Sequence, residues 1–535
     1  MSFTDPKFFI FFPIALAAVH LIPRSRRYLA LLALSCIFYG WSDPKLLMVI
    51  LAVAAWTFIG GLAISSSKQA HGDNGNTGYS GRGVFWFFFI TNILILVFFK
   101  YGSRILGLLT GAAAGGTTAG GSGLSEIGIV MPIGLSFYIF QSTSYLSEIY
   151  RKGGKPEKNF LRYAAFVTFF PTVLSGPIQK SDCLLPQIKD PEEMDSNDYI
   201  CGFLLFIWGI FLKTILSSRL AAAVTLVYGN VSEYSGMYCL AAAFIFSFYI
   251  YVDFSAYSDM AVGCARMLGF NIAPNFRGPF LSTSMSELWR RWHITLNSWF
   301  IENVYIPLGG SRHGRARKYL NVMIVFILSG AWHDATAGYL VWGALNGAIV
   351  VAEDAVRSTR KTGRQIKADA AKQADNVASR VMADANDVRK KNFAIIWLRR
   401  LAVFCIFSFV FIFFRMPTIA DANSLIAKIF TIRLNGIKDF MPTGLFSWNR
   451  NEMIITACVL LLFIVVQYLR EIQTTKLVPK KWIENDGKGN SFFIKFRKVP
   501  ALLQIIVLAV LVTSCVFAYC GDTTQLNTAF LYYNF

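Results

Sequence analysis

Residues 319–333 read YLNVMIVFILSGAWH. From Leu320 to Trp332 the run carries no charged side chain, and it ends on a histidine. Spanning the hydrocarbon core of a bilayer takes about 20 consecutive apolar residues, so a run of this kind reads as a helix that crosses or enters a membrane. Comparable runs recur on both sides of it. Spans are expected at 7–22, 28–41, 45–64, 84–101, 128–149, 160–176, 199–227, 236–262, 319–333, 336–356, 393–415, 453–470 and 500–520. The shorter ones are expected to be re-entrant or strongly tilted. No internal repeat is visible. The expected fold class is all-α, a polytopic membrane protein in which 1–535 forms a single integral membrane domain.

Composition agrees. Of the 535 residues, 55% are hydrophobic and 15% charged, where a soluble domain carries about 25% charged residues. The mean hydropathy is +0.48. An ordinary cytosolic enzyme, a disordered chain and a nucleic-acid-binding domain are thereby excluded. The net charge of +20 sits in short clusters between apolar runs, the pattern of cytoplasmic loops in a multi-pass protein. The partner it implies is the bilayer, not nucleic acid. The apolar stretch Ile10–Ile22 is followed by Pro23-Arg24-Ser25-Arg26-Arg27 and not by a small-residue cleavage site, so it reads as a retained first span. The nine cysteines are scattered with no CxxC and read as small buried hydrophobes.

The basic clusters orient the chain. Arg24, Arg26 and Arg27 are expected on the cytoplasmic side, which places the N-terminus outside. Further inside clusters are expected at 151–162 and at Arg312/Arg315/Arg317/Lys318. The segment 357–391 holds ten Lys/Arg against four Asp, and 470–499 holds eight against three acidic residues. With these inside, the tail 521–535 lies outside. Strict alternation then puts 312–318 on the wrong side, so one segment must not cross. The candidate is 160–176, interrupted by Pro171 and ending Ser175-Gly176-Pro177. Gly107–Gly123, rich in Gly, Ala and Thr, reads as a flexible outer loop. Residues 357–391 read as a basic helical cytoplasmic insertion skimming the membrane, with a partner-docking helix as the alternative.

Candidate site residues concentrate between 249 and 333. The string SMSELWRRWHITLNSWF (284–300) has Met285, Leu288, Trp289, Trp292, Leu296 and Trp299 at three- and four-residue steps. One continuous helix is expected, with those residues on one face and Arg290, His293 and Asn297 on the other. Such a helix suits the membrane surface, and its arginines suit a phosphate-bearing ligand. Simple interfacial anchoring reads equally well. Asp253 and Asp259, in FIFSFYIYVDFSAYSDMAVG (244–263), call for an ion pair, with Arg266 or Arg277 as partner, and a catalytic role is the alternative. His333 is expected to stay neutral in its apolar span and to be able to accept a proton; a hydrogen-bonded structural histidine would look the same. The five histidines show no HExxH or close His/Cys spacing, so no metal site is expected. Walker A, GxGxxG and GxSxG motifs are also missing.

Six strings, in order, carry a resemblance: MPIGLSFYIFQ (131–141), FFPTVLSGPI (169–178), YVDFSAYSDMAVGCARMLGF (251–270), NFRGPF (275–280), LWRRWHITLNSWF with YIPLGG (288–310) and SGAWHDAT (329–336). Together they resemble membrane-bound O-acyltransferases, and more narrowly the bacterial branch that acetylates alginate and peptidoglycan or D-alanylates teichoic acid. The core of the resemblance is 131–350. It implies a ring of tilted helices around a thin waist, with an essential histidine at a tunnel joining the two faces. The matching residue is His333; the second family histidine matches His293. Asp334 stands where the family pattern has a small residue. The ending Phe530-Leu531-Tyr532-Tyr533-Asn534-Phe535 is similar to a C-terminal family motif whose tyrosine, Tyr532 on that pattern, carries the acyl group. Aromatic anchoring at the interface is the plain alternative.

The resemblance implies an acetyl relay in a bacterial cytoplasmic membrane. Acetyl-CoA is the expected cytoplasmic donor, with Arg290 and Arg291 as candidates for its phosphates. His333 would take the proton of the attacking hydroxyl, and Tyr532 would carry the acetyl group outward. An extracytoplasmic SGNH-type O-acetyltransferase would pass it to a cell-surface glycan. Two other readings stay open: D-alanyl transfer from a carrier protein, and, from a different class, a transporter of lipid-linked glycans.

Overall fold

A computed structural model describes residues 1–41, 43–70, 81–110, 131–191, 196–373, 385–431 and 450–477. Every regular element among them is helical. Among the described residues, seven helices are long and apolar enough to cross a membrane: Pro44–Gln69, Arg82–Gly102, Asp198–Gly229, Gly236–Met267, Ala337–Thr359, Phe393–Arg415 and Asn451–Glu471. The protein is a multi-pass, all-α membrane protein. The expected span at 28–41 is a helix of 14 residues, Arg27–Gly40, only about 21 Å long and so too short to cross alone. The expected span 500–520, the tail 521–535 with Tyr532, residues 111–123 of the Gly-rich stretch and 374–384 of the basic insertion lie outside the described residues.

Segment 160–176 contains the break that Pro171, with Pro177 just beyond it, announces. The helix Phe160–Val167 has eight residues, about 12 Å. Its first turn is capped by the Asn159 side chain, which accepts from the amides of Leu161 and Arg162 at 2.9 and 3.2 Å. Beyond Val167 the chain turns through Pro171 to Gly176. Gly134 packs against this turn. Its φ is +74°, and a Cβ there would lie 2.2 Å from the Val173 carbonyl oxygen. Only glycine permits both the conformation and the approach. Two of the strings quoted above, MPIGLS and TVLSGP, therefore meet backbone to backbone.

The chain packs as two compact units. Among the described residues, the first comprises Met1–Ser218, Val252–Asn275 and 472–477, and the second Arg219–Tyr251 and Phe276–Glu471. In the first unit the helix Ser196–Phe211 runs on through a π-helical segment, Leu212–Ser217. Lys213 of that segment pairs with Asp253 at 2.5 Å, and Ser217 donates to the same carboxylate oxygen at 2.7 Å. Both charged side chains are buried. The ion pair expected for Asp253 thus exists, but its partner is Lys213, not Arg266 or Arg277. Arg266 stands about 20 Å further along the same helix and pairs with Asp198 at 2.8 Å.

In the second unit, helices Gly314–His333 and Ala337–Gln373 form an antiparallel hairpin closed by three residues. Their backbones touch. A Cβ on Gly330 would sit 2.3 Å from the Tyr339 carbonyl oxygen, and one on Gly343 would sit 2.4 Å from that of Phe326. Gly343 and Gly347 form a GxxxG pair, the spacing that lets helices approach closely in lipid. His333 lies at the tip of this hairpin.

Candidate active site

The 284–300 string does not form one helix. It forms two of seven residues each, Met285–Arg291 and Ile294–Phe300, broken at Trp292–His293. The first is about 10 Å long and the second runs on through a π-helical segment, Ile301–Tyr305; both are too short to span. The first starts on a serine cap: the Ser284 hydroxyl accepts from the Glu287 amide at 3.1 Å, and Glu287 reaches back past the cap to the Thr283 amide and hydroxyl, both at 2.9 Å. A distant carboxylate completes the cap. Glu353, on the second arm of the hairpin, accepts from the Met285 and Ser286 amides at 2.7 and 2.9 Å.

The break is made at His293. Its φ is +43° with ψ 54°, and it is the one non-glycine residue with positive φ among those described. The left-handed region costs an L-residue roughly 1–2 kcal/mol. Asn297 stabilises the turn: its amide nitrogen donates to the carbonyls of Trp289 and Trp292, each at 2.5 Å. In an unbroken helix the Trp289 carbonyl would accept the His293 amide; here a side chain takes that place.

The tryptophan face expected at 289, 292 and 299 is buried, as its periodicity implies, but it packs inside the protein and not along a membrane surface. Trp289 meets Trp342 edge-on at 5.6 Å and Phe326 at 5.5 Å. Trp292 packs on Phe407 at 5.1 Å and on Tyr251 at 5.8 Å. His293, expected on the opposite polar face, is only 2% exposed. The left-handed turn accounts for the difference, because it rotates residues after 292 away from the register that one continuous helix would have kept. Burial pushes the His293 imidazole down to a pKa of about 3, so it is neutral at physiological pH.

His333 is 4% exposed and ringed by aromatic side chains. Trp332 lies at 4.4 Å between ring centroids, Phe414 edge-on at 4.8 Å, Trp342 edge-on at 5.5 Å and Tyr339 nearly parallel at 6.0 Å. Phe407, Phe411 and Phe414 recur at steps of four and three on helix Ala385–Arg415, so they share one face. Trp332 also lies edge-on to His293 at 6.3 Å. A single indole therefore stands between the two histidines that the family resemblance singles out.

The arginines behave differently from one another. Arg291 donates to Glu287 at 2.5 Å and to Glu471 at 3.0 Å, and Glu471 also pairs with Arg400 at 3.6 Å. Burial pushes the Glu287 carboxyl up, but hydrogen bonds from Thr283 and the Arg291 charge outweigh it and leave it below the usual range. Arg291 is thus engaged by two carboxylates, whereas Arg290 is exposed, as are Arg312, Arg315 and Arg317. Tyr532 lies outside the described residues. Among those described, no three His, Cys, Asp or Glu side chains are grouped as metal ligands would be.

Comparison with known proteins gives the class. Residues 152–382 match the family model of membrane-bound O-acyltransferases. The probable alginate O-acetylase AlgI of Pseudomonas syringae is 32% identical over 66% of this chain and 67% of its own length. AlgI of Pseudomonas putida is 32% identical over 66% of this chain and 71% of its own. The peptidoglycan O-acetyltransferase of Helicobacter pylori is 29% identical over 51% of this chain and 55% of its own. The chain belongs to the membrane-bound O-acyltransferase family. It is accordingly an acyl-transferring enzyme set in a membrane, with two buried histidines and one tryptophan as its candidate chemical centre.

Proposed function

We propose that this protein is an O-acetyltransferase that draws acetyl groups from acetyl-CoA on the cytoplasmic side and delivers them outward for O-acetylation of a bacterial cell-surface polysaccharide. The observation that carries this reading is the seclusion of His333. An imidazole almost wholly removed from water and lined by four aromatic rings is placed to accept a proton where bulk water does not compete. The names of the relatives, an alginate O-acetylase and a peptidoglycan O-acetyltransferase, support acetyl as the group and a polysaccharide as the acceptor.

A phenol has a pKa of about 10 and needs a base to attack a thioester at neutral pH. The Tyr532 hydroxyl oxygen forms the new ester bond to the acetyl carbon as the C–S bond to CoA breaks. His333 takes the phenolic proton and returns it to the departing thiolate. An extracytoplasmic SGNH-type transferase then moves the acetyl group from Tyr532 to a glycan hydroxyl. Charged CoA never crosses the bilayer. Its phosphates are met by Arg290 and by the exposed Arg312, Arg315 and Arg317, since Arg291 already has two carboxylates. His293 supports the centre through Trp332. The site is that of a bacterial cytoplasmic membrane.

The test is transfer of labelled acetyl from acetyl-CoA into the protein in membranes, followed by peptide mapping. Label on the C-terminal peptide that is lost in His333→Ala and in Tyr532→Phe is the expected result. Acetyl reaching an external acceptor in Tyr532→Phe would replace the relay by direct transfer. No use of acetyl-CoA, with transfer from an acyl carrier protein instead, would overturn the donor assignment.

A further inference from the structure

Resting on the reading of His333 and His293 as the chemical centre, we propose that Asn297 is the positioning residue of that centre. It holds His293 in the left-handed turn against Trp332, and so fixes the ring that stands between the two histidines. Three observations converge. Asn297 spends its two amide hydrogens on two carbonyls, those of Trp289 and Trp292, which flank the break. His293, next in sequence, takes a backbone conformation that no other described non-glycine residue adopts. Its ring faces Trp332 edge-on at 6.3 Å, while Trp332 packs on His333 at 4.4 Å.

The chemistry calls for an amide at 297. The two carbonyls are acceptors and lie in different turns of the broken segment. One group with two N–H donors in a plane can satisfy both. A carboxylate has the same shape and no donor, and a hydroxyl has only one. Without the clamp, the Trp289 carbonyl regains its helical partner, the His293 amide. The two short helices then tend to join into the single helix that the tryptophan periodicity favours. That rearrangement carries the His293 ring off Trp332.

The test uses the full-length protein, with 5-fluorotryptophan incorporated and the Trp332 resonance assigned by Trp332→Phe. In Asn297→Asp the fluorine resonance of Trp332 is expected to shift. The kcat for acetyl transfer should fall about 10- to 100-fold with KM for acetyl-CoA unchanged, the loss that misplacing a positioned group by about 1 Å produces. In a His293→Gly background, where the left-handed turn is unstrained, the same substitution should change kcat less than about twofold. Asn297→Ser, with one donor, should fall between wild type and Asn297→Asp, and serves should the aspartate variant not accumulate. An unmoved Trp332 resonance in the substituted protein, or an equal loss of kcat in both backgrounds, overturns the proposal. If no variant and no wild-type sample transfers acetyl, the functional reading fails, while the resonance still decides whether Asn297 sets the position of His293.

Discussion

The molecule interrupts a helix at two buried polar residues and resolves them in opposite ways. At 212–217 the helix stays continuous by widening to a π turn, and Lys213 meets Asp253 with Ser217 as a second donor. At 292–293 the helix breaks, and a neutral histidine is set among tryptophans. The first arrangement returns to each buried charge what it lost on leaving water. The second keeps an imidazole uncharged, leaving its ring facing other rings. A compensated pair holds structure in place; a neutral imidazole beside the indole that packs on His333 is placed to serve the reaction instead. The difference separates the residues whose loss should harm folding from those whose loss should harm chemistry.

The largest effect expected is on chemistry. His333→Gln, which keeps much of the side-chain volume, should lower acetyl transfer by about 10²- to 10⁴-fold, the usual contribution of a general base. Protein abundance in membranes should stay near wild type. Equal losses of abundance and activity would place His333 with the structural group. The next largest is on folding. Removing one partner of a buried pair, as in Asp253→Asn or Lys213→Met, should destabilise by about 3–5 kcal/mol, seen as a lower thermal midpoint in detergent. Replacing both, Lys213→Met with Asp253→Leu, should recover most of that loss, because no orphan charge remains. Failure of the double variant to recover would mean that the pair does more than compensate itself.

The hairpin that presents His333 allows a third test. Gly343→Ala puts a methyl 2.4 Å from the Phe326 carbonyl oxygen, so the arms must separate. Destabilisation of about 1–3 kcal/mol is expected from overpacking of this kind. Activity should fall further than stability, since Trp342 and Tyr339, which face His333, ride on the displaced arm. Gly83→Ala, where a Cβ meets nothing within 4 Å, is the control and should be silent.

Much of this was legible in the sequence, for identifiable reasons. Hydropathy marks spans because a long apolar segment in lipid can satisfy its own backbone only as a helix, and Pro171 with Pro177 marks one that breaks. His333 stands out as a lone ionisable group closing an apolar run. His293 could be picked out only through the family strings, and its surroundings could not be read at all. The tryptophan spacing runs unbroken across 292–293, so periodicity argues for one helix. The clamp that breaks it comes from Asn297, whose bonds reach five and eight residues back. Ser284-x-x-Glu287 did announce where the first short helix begins, and Gly343-x-x-x-Gly347 announced a close helix contact; both signals were there to be used. Lys213 lies 40 residues from Asp253, and no local rule connects them. Local signals were readable; partners brought together by the fold were not.

The smallest effect probes the histidine side of the comparison by pH. His293 in the folded protein has its pKa pushed down to about 3 by burial, against an unfolded value of about 6.5. Between these limits the unfolded chain binds a proton that the folded chain refuses, so stability falls as pH falls. The contribution is complete above pH 6.5 and is lost progressively on acidification toward 3. Lowering the pH from 6.5 to 5.5 should therefore remove about 1 kcal/mol through this residue alone. His293→Gln cannot take up that proton, and its thermal midpoint should decline less over the same interval, whatever the carboxylates contribute to both proteins. Parallel declines would mean that His293 meets a proton acceptor when charged, which would move it from the secluded base to the company of Lys213 and Asp253.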